Sequence, residues 1–189
     1  MNTVVLYGSP HENGYTSRLV SAFCSALPEE AVIRTFRAYE MDIKPCRSCG
    51  VCADEWRCIY SDMEEVIGTL HQSDLIVIAS PVYHLSFPAP LKTIIDRTQR
   101  CFLAHQQGRS PFADRMRQAV VLLTAGSPSE NGEVIRQQLR WLLPPLNARL
   151  SGMVVCPNTD AEGVSRTALE QAAALAEAVV LTNDTVLNN

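Results

Sequence analysis

Five short, mostly apolar runs recur along the chain, separated by stretches in which apolar residues return every three or four positions. The runs at 3–7, 31–37, 75–79, 119–123 and 150–156 have the length and β-branched content of strands. The stretches at 17–27, 63–72, 91–100, 133–143 and 165–181 carry the helical period. Gly8, Ser9 and Pro10 break the first run, Pro144 and Pro145 stop the fourth helix, and Ser61 or Asp62 is placed to cap the second. Strands that alternate with helices need crossover connections, which are right-handed, so the pattern predicts a parallel sheet covered on both faces. The expected fold class is doubly wound α/β. It fits one domain over 1–182, with a cysteine-rich loop at 43–60 and a frayed, flexible tail at 183–189.

Composition narrows the function without choosing it. A net charge of −4 leaves no basic excess for a phosphate polymer, so nucleic acid is not expected as a partner. No run of eighteen apolar residues and no basic leader is present, which argues against membrane insertion and export. Seven cysteines, odd in number and clustered, point to metal or redox chemistry in a cytoplasmic setting rather than to a secreted disulfide framework. A hydrolase elbow of the G-x-S-x-G type is absent.

In doubly wound sheets ligands sit beyond the carboxyl ends of the strands, which singles out three loops. The first, GSPHENGYTS, offers Ser9, Asn13, Thr16 and Ser17 with the amides of a helix start, a combination suited to phosphate. It is neither a nucleotide P-loop nor G-x-G-x-x-G, and without a lysine it suits a terminal phosphomonoester such as that of FMN. An ordinary strand-to-helix turn is the alternative. The second loop, with Pro81, Val82, Tyr83 and His84, offers an aromatic ring and backbone groups to a planar ring system, although a lone tyrosine more often packs in a core. The third, from Thr124 to Ser127, is small enough to let a flat cofactor approach the backbone.

Cys46, Cys49, Cys52 and Cys58 crowd one short loop. Zinc knuckles usually present two separated pairs, whereas a compact C-x2-C-x2-C run suits the widely spaced corners of an iron–sulfur cluster. Free thiols and zinc stay open as alternatives. Gly50 gives the loop backbone freedom, and Lys44, Arg47 and Arg57 would offset thiolate charge. Cys24, Cys101 and Cys156 read as core or half-buried thiols, Trp56 as a lid or a local packing residue, and His71 and His105 as residues without chemistry.

Taken together, GSPHENGYTSRL, SDLIVIASPVY, APLKTIIDR, TAGSP and PCRSCGVC resemble the flavodoxin-like NAD(P)H-dependent FMN reductases, and within them the iron–sulfur flavoproteins, from Val4 to Gly126. The resemblance implies strand order 2-1-3-4-5. It implies a phosphate loop of Ser9, His11, Asn13, Gly14, Tyr15, Thr16 and Ser17, and ring contacts from Pro81, Val82, Tyr83, His84, Thr124, Ala125 and Gly126. It further implies a 4Fe-4S cluster on Cys46, Cys49, Cys52 and Cys58, NAD(P)H as electron donor, a small-molecule or protein electron acceptor such as a quinone, and a homodimer or homotetramer. Asp96 and Arg97 match a helix motif read as structural. The chain departs from its relatives at His11, usually basic, at Tyr15, usually Asn, and at Leu85, often Gly. With Glu12 alongside, these departures predict weaker hold on a phosphate dianion. An electron carrier without its own substrate, or a binding module that has lost FMN, would also fit.

Overall fold

Every one of the five apolar runs pairs with its neighbours in parallel in the computed structural model, which describes residues 1–128, 130 and 132–187. The strands are β1 (Asn2–Tyr7), β2 (Val32–Arg37), β3 (Leu75–Pro81), β4 (Arg117–Thr124) and β5 (Ala148–Cys156). They form one sheet in the order β2-β1-β3-β4-β5, the expected doubly wound arrangement. Between and around them run α1 (Tyr15–Ser25), a short α2 (Val51–Asp54), α3 (Glu64–Gln72), α4 (Ala89–Arg97), α5 (Gln99–Gln106), α6 (Glu133–Leu142), a short α7 (Thr159–Glu162) and α8 (Arg166–Leu187).

The period of two along the strands divides the core into two layers. Val4, Leu6, Ile76, Ile78, Val121 and Leu123 pack under α3 to α6 against Val66, Leu70, Leu91, Ile94 and Leu139. Their neighbours in sequence, Val5, Tyr7, Val77, Ala79, Val120 and Leu122, pack against Leu19 and Phe23 of α1 and Ala172 and Ala176 of α8. Small residues let α8 lie close. A Cβ on Gly152 would stand 2.4 Å from the Leu175 side chain, and Ser165 caps this helix by accepting from the Ala168 amide at 3.2 Å.

Several boundaries differ from expectation for identifiable reasons. The helix expected over 91–100 starts earlier, at Ala89, because a proline within the first turn gives up no helical hydrogen bond. It also ends sooner. The chain breaks at Thr98 (ψ 2°), whose hydroxyl donates to Ile95 O at 2.7 Å, and α5 begins as a second helix. Neither Ser61 nor Asp62 caps α3 with its side chain: Met63 occupies the cap, and Asp62 accepts instead from the Lys44 amide and the Arg97 guanidinium. The alanine-rich helix continues through Leu187 rather than stopping at 181, so it covers most of the expected tail; Asn188 and Asn189 lie outside the described residues. Among the described residues no helix is long and apolar enough to cross a membrane.

Candidate functional site

The carboxyl ends of β1, β3 and β4 open onto a cavity of about 290 Å³ lined by Ser9, His11, Tyr15, Thr16, Pro81, Val82, Tyr83, Thr124 and Gly126. Nine of the fourteen residues expected around a flavin therefore share one cavity. The first strand is followed by Gly8, which fits there only because it lacks a side chain: a Cβ would stand 2.5 Å from Leu91 Cδ2. Beyond it the loop is braced from within. Ser9 Oγ accepts from the His11 amide at 3.2 Å, Tyr7 OH donates to His11 O at 2.8 Å, and Ser17 Oγ donates to Gly14 O at 2.7 Å. Gly14 occupies the cap of α1 with no side-chain bond to the helix amides. The first intrahelical bond runs from Arg18 N to Gly14 O, so the amides of Tyr15 to Ser17 precede the helix's own acceptors and are presented at its positive end.

One buried contact joins the phosphate-type loop to the far side of the cavity: Thr16 Oγ1 and Thr124 Oγ1 are 2.9 Å apart. The β3 loop is shaped by a tight turn in which Tyr83 and Ser86 exchange backbone bonds of 2.9 and 3.0 Å around His84 (φ 50°) and Leu85 (φ 61°). Two successive left-handed residues make a type I′ turn, normally the province of Gly and Asn, so the Leu85 position is one where glycine would sit without strain. Tyr83 itself is half-exposed at the cavity rather than packed in the core.

Five expected residues stand apart from the cavity lining. Asn13 and Ser17 face a separate hollow beside Arg18 and Leu169, Gly14 contributes the helix cap, His84 sits in the turn, and Ala125 is buried between Cys156 O and the Thr159 amide. Two lining residues were not expected, Thr159 and Asp160. They follow β5, whose end lies beside that of β4, and a carboxylate oxygen of Asp160 would stand only 2.2 Å from a Cβ placed on Gly126. Their signal in the sequence is weak, because only the pairing of β5 with β4 brings this segment to the cavity. Glu12, expected to oppose a phosphate, lies 3.8 Å from Arg37 Nη2, which moderates its charge.

A second cavity, of about 220 Å³, is lined by all four clustered cysteines together with Arg47, Tyr60, Arg97, Arg100 and Leu103. It shares no lining residue with the first. Ser48 (φ 52°) and Gly50 (φ 83°) turn the loop between the thiols, and α2 carries Cys52. Among the described residues no group of three or more His, Cys, Asp or Glu is placed to hold a single metal ion. The segment is anchored from outside by side chains that grip its main chain: Arg97 Nη1 donates to Lys44 O (2.5 Å), Gln107 Nε2 to Ala53 O (3.0 Å) and Arg109 Nη1 to Asp54 O (3.0 Å). Of the cations expected to balance thiolates, Lys44 pairs with Asp42 and Arg57 with Glu55, while Arg47 lines the cavity. Trp56 packs locally, with the Arg100 guanidinium 5.0 Å from its ring centroid. Outside the cluster, burial pushes the Cys24 thiol up to about 11 and the Cys101 thiol up to about 12.

The sheet order and the loop cluster at its carboxyl edge define a flavodoxin-like fold. The family described as NADPH-dependent FMN reductase matches residues 1–161, and the chain belongs to it. Among curated proteins it is similar to an iron–sulfur flavoprotein of Methanocaldococcus jannaschii, 32% identical over 101 residues that cover 52% of this chain and 52% of that protein. It is also similar to an iron–sulfur flavoprotein of Methanosarcina thermophila, 26% identical over 158 residues, 82% of this chain and 76% of that one. The match to the first spans about half of that relative's length. Among solved structures an NAD(P)H:quinone oxidoreductase from Methanothermobacter marburgensis shares the fold with a TM-score of 0.73 at 18% identity, covering 93% of this chain and 92% of that one.

Proposed function

We propose that this chain is an FMN-dependent oxidoreductase that takes electrons from NAD(P)H and passes them to an iron–sulfur cluster on Cys46, Cys49, Cys52 and Cys58, or to a small acceptor such as a quinone. The observation that carries the reading is the first cavity, where an uncapped helix start and an aromatic-edged wall meet across three strand ends. FMN fits the residues present. The amides of Tyr15 to Ser17 and the hydroxyls of Ser9 and Thr16 would hold the phosphate without a metal ion. Pro81, Val82 and Tyr83 would flank the ring on one side, and the turn of Thr124, Ala125 and Gly126 would approach it on the other, because Gly126 adds no side chain to a space already bounded by Asp160.

When bound, FMN supplies the chemistry of accepting a hydride from reduced nicotinamide and releasing electrons singly. The protein's contribution is positional, and no side chain is assigned as a general acid or base. The second cavity fits a thiolate-ligated cluster better than zinc, since the four cysteines line a space rather than converge on one ion, with cationic side chains beside them. Protein purified without air, with its absorption spectrum recorded and iron and sulfide assayed on the same sample, tests both parts. Flavin bands, a broad absorbance bleached by dithionite and NAD(P)H-dependent reduction of ferricyanide are expected. Flavin without iron would remove the cluster, and a colourless protein that takes up no added FMN would overturn the flavin reading.

A further inference from the structure

The inner wall of the cysteine cavity is made by two arginines that are built into the protein rather than solvated. Arg97 and Arg100 are 3% and 2% exposed and stand on either side of the Thr98 break. Each is held by a carboxylate and an aromatic ring, and Arg97 by a backbone carbonyl as well. Arg97 Nη2 donates to Asp62 Oδ1 at 2.6 Å, its Nη1 is fixed on Lys44 O, and its guanidinium lies 5.2 Å from the Tyr60 ring centroid. Arg100 Nη1 donates to Glu64 Oε1 at 2.6 Å, and its guanidinium rests on Trp56.

In both residues the Nη groups are used and the Nε–H is buried without an acceptor; the Trp56 Nε1–H is buried and unpartnered as well. Buried donors in folded proteins are rarely left without a partner, and orphans call for a missing acceptor. Here two of the three belong to cations that line the cavity shared by Cys46, Cys49, Cys52 and Cys58. The carboxylates that hold the arginines differ in what they cancel. Asp62 is 19% exposed beside Arg97, whereas the Glu64 side chain is 56% exposed and screened by solvent, so the Arg100 charge is the less fully offset of the two.

We propose that Arg97 and Arg100 aim charge-assisted N–H bonds and positive charge at the sulfurs of the group the four cysteines hold, and thereby raise its reduction potential. This rests on the reading that the cysteines bind an iron–sulfur cluster. Reduction by one electron adds a negative charge to such a group, so fixed cations and donors at its sulfurs favour the reduced form. The arginines are positioning residues. They ligate no iron, and their loss should leave the metal in place.

The test is a reductive titration with dithionite, followed by electron paramagnetic resonance, on full-length protein purified without air and assayed for iron and sulfide. Arg100→Gln should keep its iron while its reduction equilibrium falls about tenfold, a shift of about 59 mV downward for one electron. Glu64→Gln, on the exposed carboxylate, should shift the potential upward, because it leaves the Arg100 charge less opposed. An iron-loaded Arg100→Gln with the unaltered potential overturns the inference, as do two variants that shift in the same direction, the mark of general disturbance. If Arg100→Gln does not fold, the sign of the Glu64→Gln shift decides alone. Wild-type protein that holds neither iron nor sulfide removes the cluster reading, and this inference falls with it; iron present with potentials unmoved removes this inference only.

Discussion

The hydroxyl pair between Thr16 and Thr124 can be separated into a structural part and a binding part. Both side chains are buried, and their oxygens are 2.9 Å apart, with no other side-chain partner for either among the described residues. Thr16→Val replaces a hydroxyl by a methyl of similar size and strands the Thr124 hydroxyl away from water, which costs about 1–3 kcal/mol. Thr124→Val strands Thr16 at the same cost. The double substitution removes donor and acceptor together and should be close to neutral, so the cycle should show a coupling as large as the two single costs combined, about 2–6 kcal/mol. Urea unfolding of the flavin-free protein measures this as shifts in midpoint at constant slope. Binding separates the two residues. A hydroxyl donates once and accepts twice, so Thr16 can donate to phosphate while accepting from Thr124. Thr16→Val should therefore weaken FMN, titrated by flavin fluorescence, roughly ten- to a hundredfold, the equivalent of about 1.5–3 kcal/mol for a bond to a charged group, whereas Thr124→Val should mainly lower stability. Single effects that simply add up in the double variant, within about 0.5 kcal/mol, would refute the claim that these hydroxyls satisfy each other.

Other consequences are open to direct measurement. Burial alone would raise the Asp62 pKa, but hydrogen bonds from Arg97 and the Lys44 amide outweigh it and hold the carboxyl below its ordinary value. Its stabilisation is therefore complete above the unfolded value near 4 and lost as pH falls through the lower folded value; Asp62→Asn should cost about 3–5 kcal/mol at pH 7 and flatten the acid limb of stability, read by urea unfolding across pH. Gly8→Ala would drive a Cβ to 2.5 Å from Leu91 Cδ2 and 3.0 Å from Ser80 Oγ, in a fully packed place, and should lower stability by about 1–3 kcal/mol in thermal or urea melts. In iron-free protein at pH 7, iodoacetamide followed by peptide mass mapping should label the exposed Cys46 and Cys49 well before Cys24 and Cys101, whose burial keeps them protonated.

The sheet was legible because its strands are buried on both faces, so 75–79 and 119–123 appear as unbroken apolar runs whose direction only crossovers can satisfy. The phosphate-type loop was legible because the strand ending at Tyr7 gives way at Gly8 to a cluster of hydroxyl and amide residues just before the next helical stretch. What escaped were contacts between segments distant in sequence. Asp62 looks like a helix cap until Arg97, thirty-five residues on, is folded against it. The break at Thr98 follows a local hydroxyl-to-carbonyl bond that helical periodicity does not register, and Asp160 reaches the cavity only because β5 pairs with β4. Arg97 was read as part of a structural helix motif; its burial against the cysteine cavity could be seen only once α4 and the cysteine segment were brought together.

The way the cysteine segment is moored bears on how freely it can change. Arg97, Gln107 and Arg109 hold it by its carbonyl oxygens at Lys44, Ala53 and Asp54, and the rings of Trp56 and Tyr60 add side-chain contacts to Arg100 and Arg97. A carbonyl is the same whatever residue carries it. At those three points the mooring does not read the sequence it holds, so Ala53 and Asp54 can be replaced by other residues of the same turn geometry while the hawsers from the rest of the protein stay fast, whereas Trp56 and Tyr60, gripped by their rings, cannot be exchanged so freely.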